Sequence, residues 1–274
     1  NGICSMSDIL NSLIMGVVEG ITEFLPVSST GHLIVTKELL QFQGSDTFEI
    51  VIQLGGVLAV MWFYFATILQ QVKSVATDAA VRRFWMAVIV AFLPAACIGL
   101  AFHHYITEYL FNSVTVACSL IVGGVIMWWI EGAAFKPRTL AFEQITLKQA
   151  FAIGCAQLCS LIPGVSRSAS TIMGGMLTGL DRSTATGFSF FLSIPTLGAA
   201  SIYSLLKDLD GVGAHGVVNI SIGLITSFIV SLLSIGWLLR YISKHSFRGF
   251  AVYRIIAGFL ILALSYFGFF ATSV

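Results

Sequence analysis

The sequence is short of charge. Of its 274 residues, 10% are Asp, Glu, Lys or Arg, while 57% are hydrophobic. Soluble domains carry about 25% charged residues, so a surface wetted all round is excluded and most of it must face lipid. An excess of one sign is also missing. The balance of 14 basic against 13 acidic residues leaves +1, which excludes the basic field of a nucleic-acid binder. Cysteine is sparse and out of pattern. Cys97, Cys118, Cys155 and Cys159 lie inside apolar runs and read as small polarizable packing residues; no Cys/His spacing suits zinc. No basic region precedes the first apolar stretch, as a signal peptide would need. Residues 1–5, ahead of Met6, read as a remnant foreign to the fold.

Long apolar runs are what the chain has. A crossing helix needs about 20 apolar residues. Six stretches qualify, roughly 48–69, 84–102, 111–130, 188–206, 217–239 and 250–271. Two more are broken. The run 9–40 is interrupted by Leu25-Pro26-Val27-Ser28-Ser29-Thr30-Gly31-His32, and the run 150–180 by Pro163-Gly164-Val165-Ser166-Arg167-Ser168. Each half is too short to cross, and Pro, Gly and several hydroxyls suit a hairpin that enters and leaves on one side. Irregular backbone at that depth needs protein or a water-filled cavity around it.

Charge placement agrees with this layout. Loops 70–83, 131–149, 181–187 and 240–249, assigned to one side, hold Lys73, Arg82, Arg83, Lys136, Arg138, Lys148, Arg182, Arg240, Lys244 and Arg248. The opposite loops hold Lys37 and Lys207. Ten against two makes the first side cytoplasmic and leaves both termini outside. Each half is then a hairpin plus three spans, and the odd number of crossings turns the second half upside down. At an offset of 138, Gly16 pairs with Gly154, Glu19 with Gln157, Ser28 with Ser166 and Thr30 with Ser168. The expected fold is an all-α integral membrane protein, a single domain over 6–274. Its inverted repeats cover about 8–135 and 146–272, with six full spans and about ten helices in total. Such repeats bring broken helices together near the bilayer midplane, so the two hairpins should meet tip to tip.

The polar residues gather at these breaks. Glu19 and Glu23, at i and i+4, share one helix face. Two carboxylates embedded in lipid need a proton, a partner or a shared cation, so they read as a general base or as oxygen ligands for Mg²⁺ or Ca²⁺. Ser28, Ser29, Thr30 and His32 follow. A hydroxyl beside an imidazole and a carboxylate supplies the parts of nucleophilic catalysis, and His32 is a second candidate nucleophile; helix capping is the plainer use of the hydroxyls. Arg167 is the only Arg or Lys that this layout buries deep in the bilayer, whereas Arg254 sits just inside the last helix. A buried guanidinium needs an anion, and its planar fork suits a phosphate or an ion pair with Glu19 or Glu23. Gly164, Ser166, Ser168, Ser170 and Thr171 surround it at an expected helix N-terminus, an anion site. Gln53 faces the site or bonds between helices, Glu49 is interfacial, and His103 and His104 fall in an outer loop. Acids, hydroxyls and an Arg in a Gly/Ser nest are what phosphoryl transfer needs, on a substrate with a lipid tail. The rival reading is a transporter or lipid flippase, since inverted repeats with broken helices serve transport.

Glu19-Gly20-Ile21-Thr22-Glu23-Phe24-Leu25-Pro26-Val27-Ser28-Ser29-Thr30-Gly31-His32 strongly resembles the first signature of the undecaprenyl pyrophosphate phosphatase, or bacitracin-resistance, family. Pro163-Gly164-Val165-Ser166-Arg167-Ser168 resembles its second, and Phe48-Glu49-Ile50-Val51-Ile52-Gln53-Leu54-Gly55 also fits. The resemblance covers the chain from Met6, with one departure at Ala169, where many members carry Gly. It implies a bacterial inner-membrane enzyme that hydrolyses undecaprenyl pyrophosphate to undecaprenyl phosphate and inorganic phosphate. That step recycles the carrier for peptidoglycan synthesis and confers bacitracin resistance. It also implies a Mg²⁺ or Ca²⁺ requirement and a site open to the periplasm. By motif position, Glu19 and Glu23 are acid/base or metal groups, Ser29 or His32 is the nucleophile, and Arg167 with Ser166 and Thr171 holds the phosphates. The expected partners are a polyprenyl pyrophosphate lipid and the membrane, with no nucleic acid; a homodimer is one expected assembly.

Overall fold

A computed structural model describes residues 6–42, 46–110, 112–133, 136–207 and 214–269. Residues 1–5 lie outside that range, as do the side chains of His103 and His104. The described residues form eleven α-helices and no strand, apart from one isolated bridge between Thr139 and Leu180. In chain order these are α1 (Met6–Thr22), α2 (Ser29–Leu40), α3 (Asp46–Phe63), α4 (Phe65–Ser74), α5 (Ala79–Leu110) and α6 (Ser113–Gly132). The second half contributes α7 (Leu147–Gln157), α8 (Arg167–Leu177), α9 (Arg182–Lys207), α10 (Ala214–Ile242) and α11 (Arg248–Tyr266).

Helices α5, α6, α9, α10 and α11 are long and apolar enough to cross a membrane. The hairpin helices are not. At 1.5 Å per residue, α2, α7 and α8, of 12, 11 and 11 residues, reach roughly 16–18 Å into a hydrocarbon layer of about 30 Å. The surface is apolar and the interior carries the polar groups. Trp62 and Leu233 are exposed, while Glu19, Gln157 and Arg254 are fully buried. This inversion of the soluble pattern marks a multi-pass membrane protein.

Two expectations change. The span expected at 48–69 is broken: the chain bends by 69° between Phe63 and Phe65, so the sixth crossing exists only if α3 and α4 are one bent span. The extra break raises the expected ten helices to eleven. The reason lies in α4, where Gln70, Gln71 and Lys73 interrupt the apolar residues and suit a water–lipid boundary better than its core. His103 and His104 fall within α5, which runs past the expected end at 102.

The basic loops share one end of the bundle. Arg83 Nη2 donates to Glu143 O at 2.5 Å, Arg182 pairs with Glu131 at 2.6 Å, and Phe247 N donates to the same Glu131. At the other end Lys37 pairs with Glu49 at 2.6 Å, and Ser113 meets Ser265. Between these ends the helices cross closely. A Cβ on Gly16 of α1 would stand 2.6 Å from the Gly223 carbonyl oxygen of α10, and one on Gly154 of α7 would stand 2.5 Å from that of Ala91 on α5. Small residues let backbones approach where lipid supplies no hydrophobic drive. Helix α10 thus lies against α1 and α3 as α5 lies against α7 and α9.

Candidate active site at two hairpin tips

Each hairpin turns at a serine. Ser28 Oγ accepts from Gly31 N at 3.4 Å and caps α2; Ser166 Oγ accepts from Ala169 N at 3.2 Å and caps α8. Both serines hold positive φ, 73° and 76°. Side chains avoid that region, and the strain, on the order of 1–3 kcal/mol, persists where surrounding structure enforces it, often at functional sites. The first N–H groups of α2 and α8 have no intrahelical carbonyl to bond, which leaves partial positive charge at each tip.

Three ties join the tips. Ser168 Oγ donates to Leu25 O at 2.9 Å. Arg167 Nη2 donates to Glu23 Oε1 at 3.1 Å, an ion pair with both side chains buried. Arg254 on α11 donates to Pro26 O in the first tip and to Gly164 O in the second, both at 3.2 Å. Gly164 has φ of 91°, and a Cβ there would stand 2.5 Å from Val116 O on α6. Only glycine permits both the conformation and the approach.

At the junction, Ser29 Oγ donates to Glu23 Oε2 at 2.6 Å. Glu23 therefore holds a hydroxyl with one oxygen and a guanidinium with the other. Arg167 is fixed from behind: Nη1 donates to Ser189 O on α9 at 2.9 Å, and its carbon Cζ lies 5.9 Å from the centre of the Phe24 ring. Its Nε is buried without a partner. One turn before Glu23, Glu19 is fully buried, and neither carboxylate oxygen has a hydrogen-bond partner. Both amide atoms of Gln157, its counterpart at the 138 offset, are equally unpartnered.

The remaining candidates divide between the tip and its support. Thr30 is half-buried in the first turn of α2. Ser166 and Ser168 hydroxyls bond to one another at 3.0 Å. Ser170 donates back to Ser166 O at 3.0 Å. Thr171, expected to hold phosphate, is buried behind the tip, where its hydroxyl meets Ser189 Oγ at 2.7 Å and donates to Arg167 O. It braces Arg167. His32, a candidate nucleophile, has both ring nitrogens engaged: Nδ1 lies 2.7 Å from Ser28 O and Nε2 lies 2.5 Å from Tyr253 Oη. Gln53 is half-buried on α3.

Arg167 is not the only deep cation. Arg254 is fully buried, and its four hydrogen bonds all go to backbone carbonyls: Pro26, Gly164, Ser119 and Leu120. Its expected place just inside the last helix is corrected to the protein interior. The available signal was a lone charge six residues into α11, amid apolar neighbours, which in a membrane marks a functional or structural site. Ser189 and Tyr253 carried no comparable signal.

The arrangement pairs a hydroxyl with a carboxylate, aligns a buried guanidinium with them, and adds two helix N-termini and an unpartnered carboxylate. A hydroxyl bonded to a base is an activated nucleophile, and the cationic groups suit phosphate oxygens. The two free oxygens of Glu19 fit a hard cation such as Mg²⁺ or Ca²⁺. Among the described residues no three His, Cys, Asp or Glu side chains cluster to cage one.

Comparison with known proteins identifies relatives over nearly the whole chain. The family model described as bacitracin resistance protein BacA matches residues 12–260. A Deinococcus radiodurans protein named undecaprenyl-diphosphatase is 50% identical over 262 residues, covering 94% of this chain and 95% of the relative. The Chromobacterium violaceum protein named undecaprenyl-diphosphatase 1 is 48% identical over 257 residues, 93% of this chain and 95% of the relative. A Methylobacillus flagellatus undecaprenyl-diphosphatase is 45% identical over 262 residues, 93% and 97% respectively.

Proposed function

The chain belongs to the bacitracin resistance protein BacA family, and from that membership and the groups at its hairpin tips we propose both its reaction and its mechanism. It is a hydrolase that converts undecaprenyl pyrophosphate to undecaprenyl phosphate and inorganic phosphate, the activity for which its relatives are named. The observation that carries the mechanism is the line Ser29–Glu23–Arg167, with contacts of 2.6 and 3.1 Å.

In the first step Glu23 takes the Ser29 proton while Ser29 Oγ attacks the terminal phosphorus. The bridging P–O bond breaks, and undecaprenyl phosphate leaves with the bond's electron pair and the proton just taken by Glu23, which returns Glu23 to the carboxylate. In the second step Glu23 takes a proton from water, which displaces the phosphoryl group from Ser29. Inorganic phosphate departs and Ser29 Oγ recovers a proton from Glu23. Arg167 turns from Glu23 toward the phosphoryl oxygens as the carboxylate is neutralised. The N–H groups opening α2 and α8 offset the charge on the two phosphates. A Mg²⁺ or Ca²⁺ ion, held by Glu19 with Glu23, would neutralise further pyrophosphate charge when bound. The hydroxyl–carboxylate dyad serves hydrolysis and has no task in simple translocation of lipid.

The same reading covers place and architecture. The two halves are inverted repeats, a reading supported by shared roles at the 138 offset: Gly16 and Gly154 at helix crossings, Ser28 and Ser166 as strained caps. The basic end faces the cytoplasm of a bacterial inner membrane. Opening toward the periplasm is supported by the rings between the tips and the basic end. Phe24 meets Phe190 at 5.3 Å, and Phe191 meets Phe84 at 5.0 Å and Phe142 at 5.6 Å. That packed layer leaves the other face for a polar head group.

Rapid-quench analysis of the detergent-solubilised protein with a prenyl pyrophosphate tests the mechanism. A phosphoenzyme stable to acid and labile to base is expected, and it should vanish in Ser29→Ala. An acid-labile, base-stable adduct on His32 would overturn it.

A further inference from the structure

We propose that Tyr253, on α11, is a positioning residue of the active site: its hydroxyl fixes the tautomer and orientation of His32, and through His32 the strained Ser28–Ser29 turn. The inference rests on the hydrolytic reading above.

The geometry fixes the direction of each bond. His32 Nδ1 lies 2.7 Å from the Ser28 carbonyl oxygen. A carbonyl only accepts, so Nδ1 carries the hydrogen. In the neutral ring Nε2 then holds the lone pair, and Tyr253 Oη, 2.5 Å away, donates to it. The two rings are nearly parallel, with centroids 5.6 Å apart and planes inclined by 7°. The imidazole is thus held at both nitrogens and along its face.

What it holds in turn is the first tip. Ser28 is the strained cap of α2, with φ of 73°. The His32 N–H ties its carbonyl down, while its own side chain caps Gly31 N. The next residue is Ser29, whose hydroxyl must stay 2.6 Å from Glu23. The chain of support runs from Tyr253 to His32, to Ser28, to the nucleophile. It joins α11 to α2 across 221 residues of sequence. Because neither nitrogen of His32 is free, the imidazole serves here as a strut and Ser29 as the reacting group. Tyr253 is 46% exposed, so removing its hydroxyl leaves the packed interior intact.

Tyr253→Phe keeps the ring and deletes only the bond. Phosphate release from a prenyl pyrophosphate in detergent should show kcat lower by about tenfold, the scale of one lost hydrogen bond to a reacting assembly, with KM within about twofold. In a His32→Ala background the same change should have no further effect, because residues acting as one unit are not additive. Nitrogen-15 NMR of histidine-labelled parent protein should show His32, identified by its loss in His32→Ala, protonated at Nδ1. Unchanged kcat in Tyr253→Phe, an undiminished loss in the His32→Ala background, or a His32 protonated at Nε2 alone would each overturn the proposal. An inactive parent protein would overturn the hydrolytic reading instead, and the NMR arm would still decide the bond to Tyr253.

Discussion

The two hairpin tips share a backbone and differ in what they carry. Each turns at a serine of positive φ that caps the returning helix. Yet the first residue of α2 is Ser29 and the first residue of α8 is Arg167, again 138 positions apart. One turn of chain thus presents a hydroxyl and its counterpart presents a cation, and both bond to the same Glu23. One helix earlier the pair is Glu19 and Gln157, both buried without partners. A carboxylate offers only acceptors, whereas an amide offers two donors and an acceptor. The comparison shows how two tips of like backbone make an asymmetric site. The geometry is held in common while the charge is divided, acids and hydroxyl on one tip and guanidinium on the other.

Substitutions can break this division. The largest effect is expected for Ser29→Ala, a fall in kcat of about 10⁴-fold, read by phosphate release from a prenyl pyrophosphate. Near-normal turnover would move the nucleophile off the first tip. Arg254→Met should destabilise by roughly 3 kcal/mol, because four buried carbonyls lose their donor at once; thermal melting in detergent checks it. Arg167→Lys should lower kcat/KM about a hundredfold, since an ammonium cannot reproduce the planar fork. If Lys suffices, the second tip supplies charge alone. Glu19→Gln should raise the Mg²⁺ or Ca²⁺ concentration for half-maximal activity roughly tenfold, and an unchanged metal titration would place the cation away from Glu19. The smallest effects sharpen the likeness. Ser28→Ala and Ser166→Ala should each lower stability by about 1 kcal/mol through loss of a cap, and unequal melting shifts would mean the tips are held differently.

Much of this was legible in the chain. Apolar runs and the ten-against-two count of basic loop residues gave the membrane class, the two hairpins and the common end of the basic loops, which the Arg83–Glu143 and Arg182–Glu131 contacts bring together. The apolar run expected at 48–69 did not reveal the 69° bend at Tyr64, because hydropathy runs on across the break. The breaks named Glu19, Glu23, Ser29 and Arg167, because charge and hydroxyls amid apolar sequence stand out where each must be explained. They left open whether Arg167 met a phosphate or a carboxylate, and whether Ser29 or His32 was free to react.

Sequence by itself determined the class of the protein, the position of its two breaks and the inventory of reactive groups. Composition and spacing are local, and lipid punishes every polar residue that lacks a reason to be there. Only the tertiary structure decided which groups face one another. Arg254 reaches both tips from α11, Thr171 stands behind Arg167, and Tyr253 takes the second nitrogen of His32. The Arg254–Pro26 and Tyr253–His32 contacts rest on helix crossings between residues more than two hundred positions apart. Hydrogen-bond partners at that range follow from packing, which no local pattern of residues records.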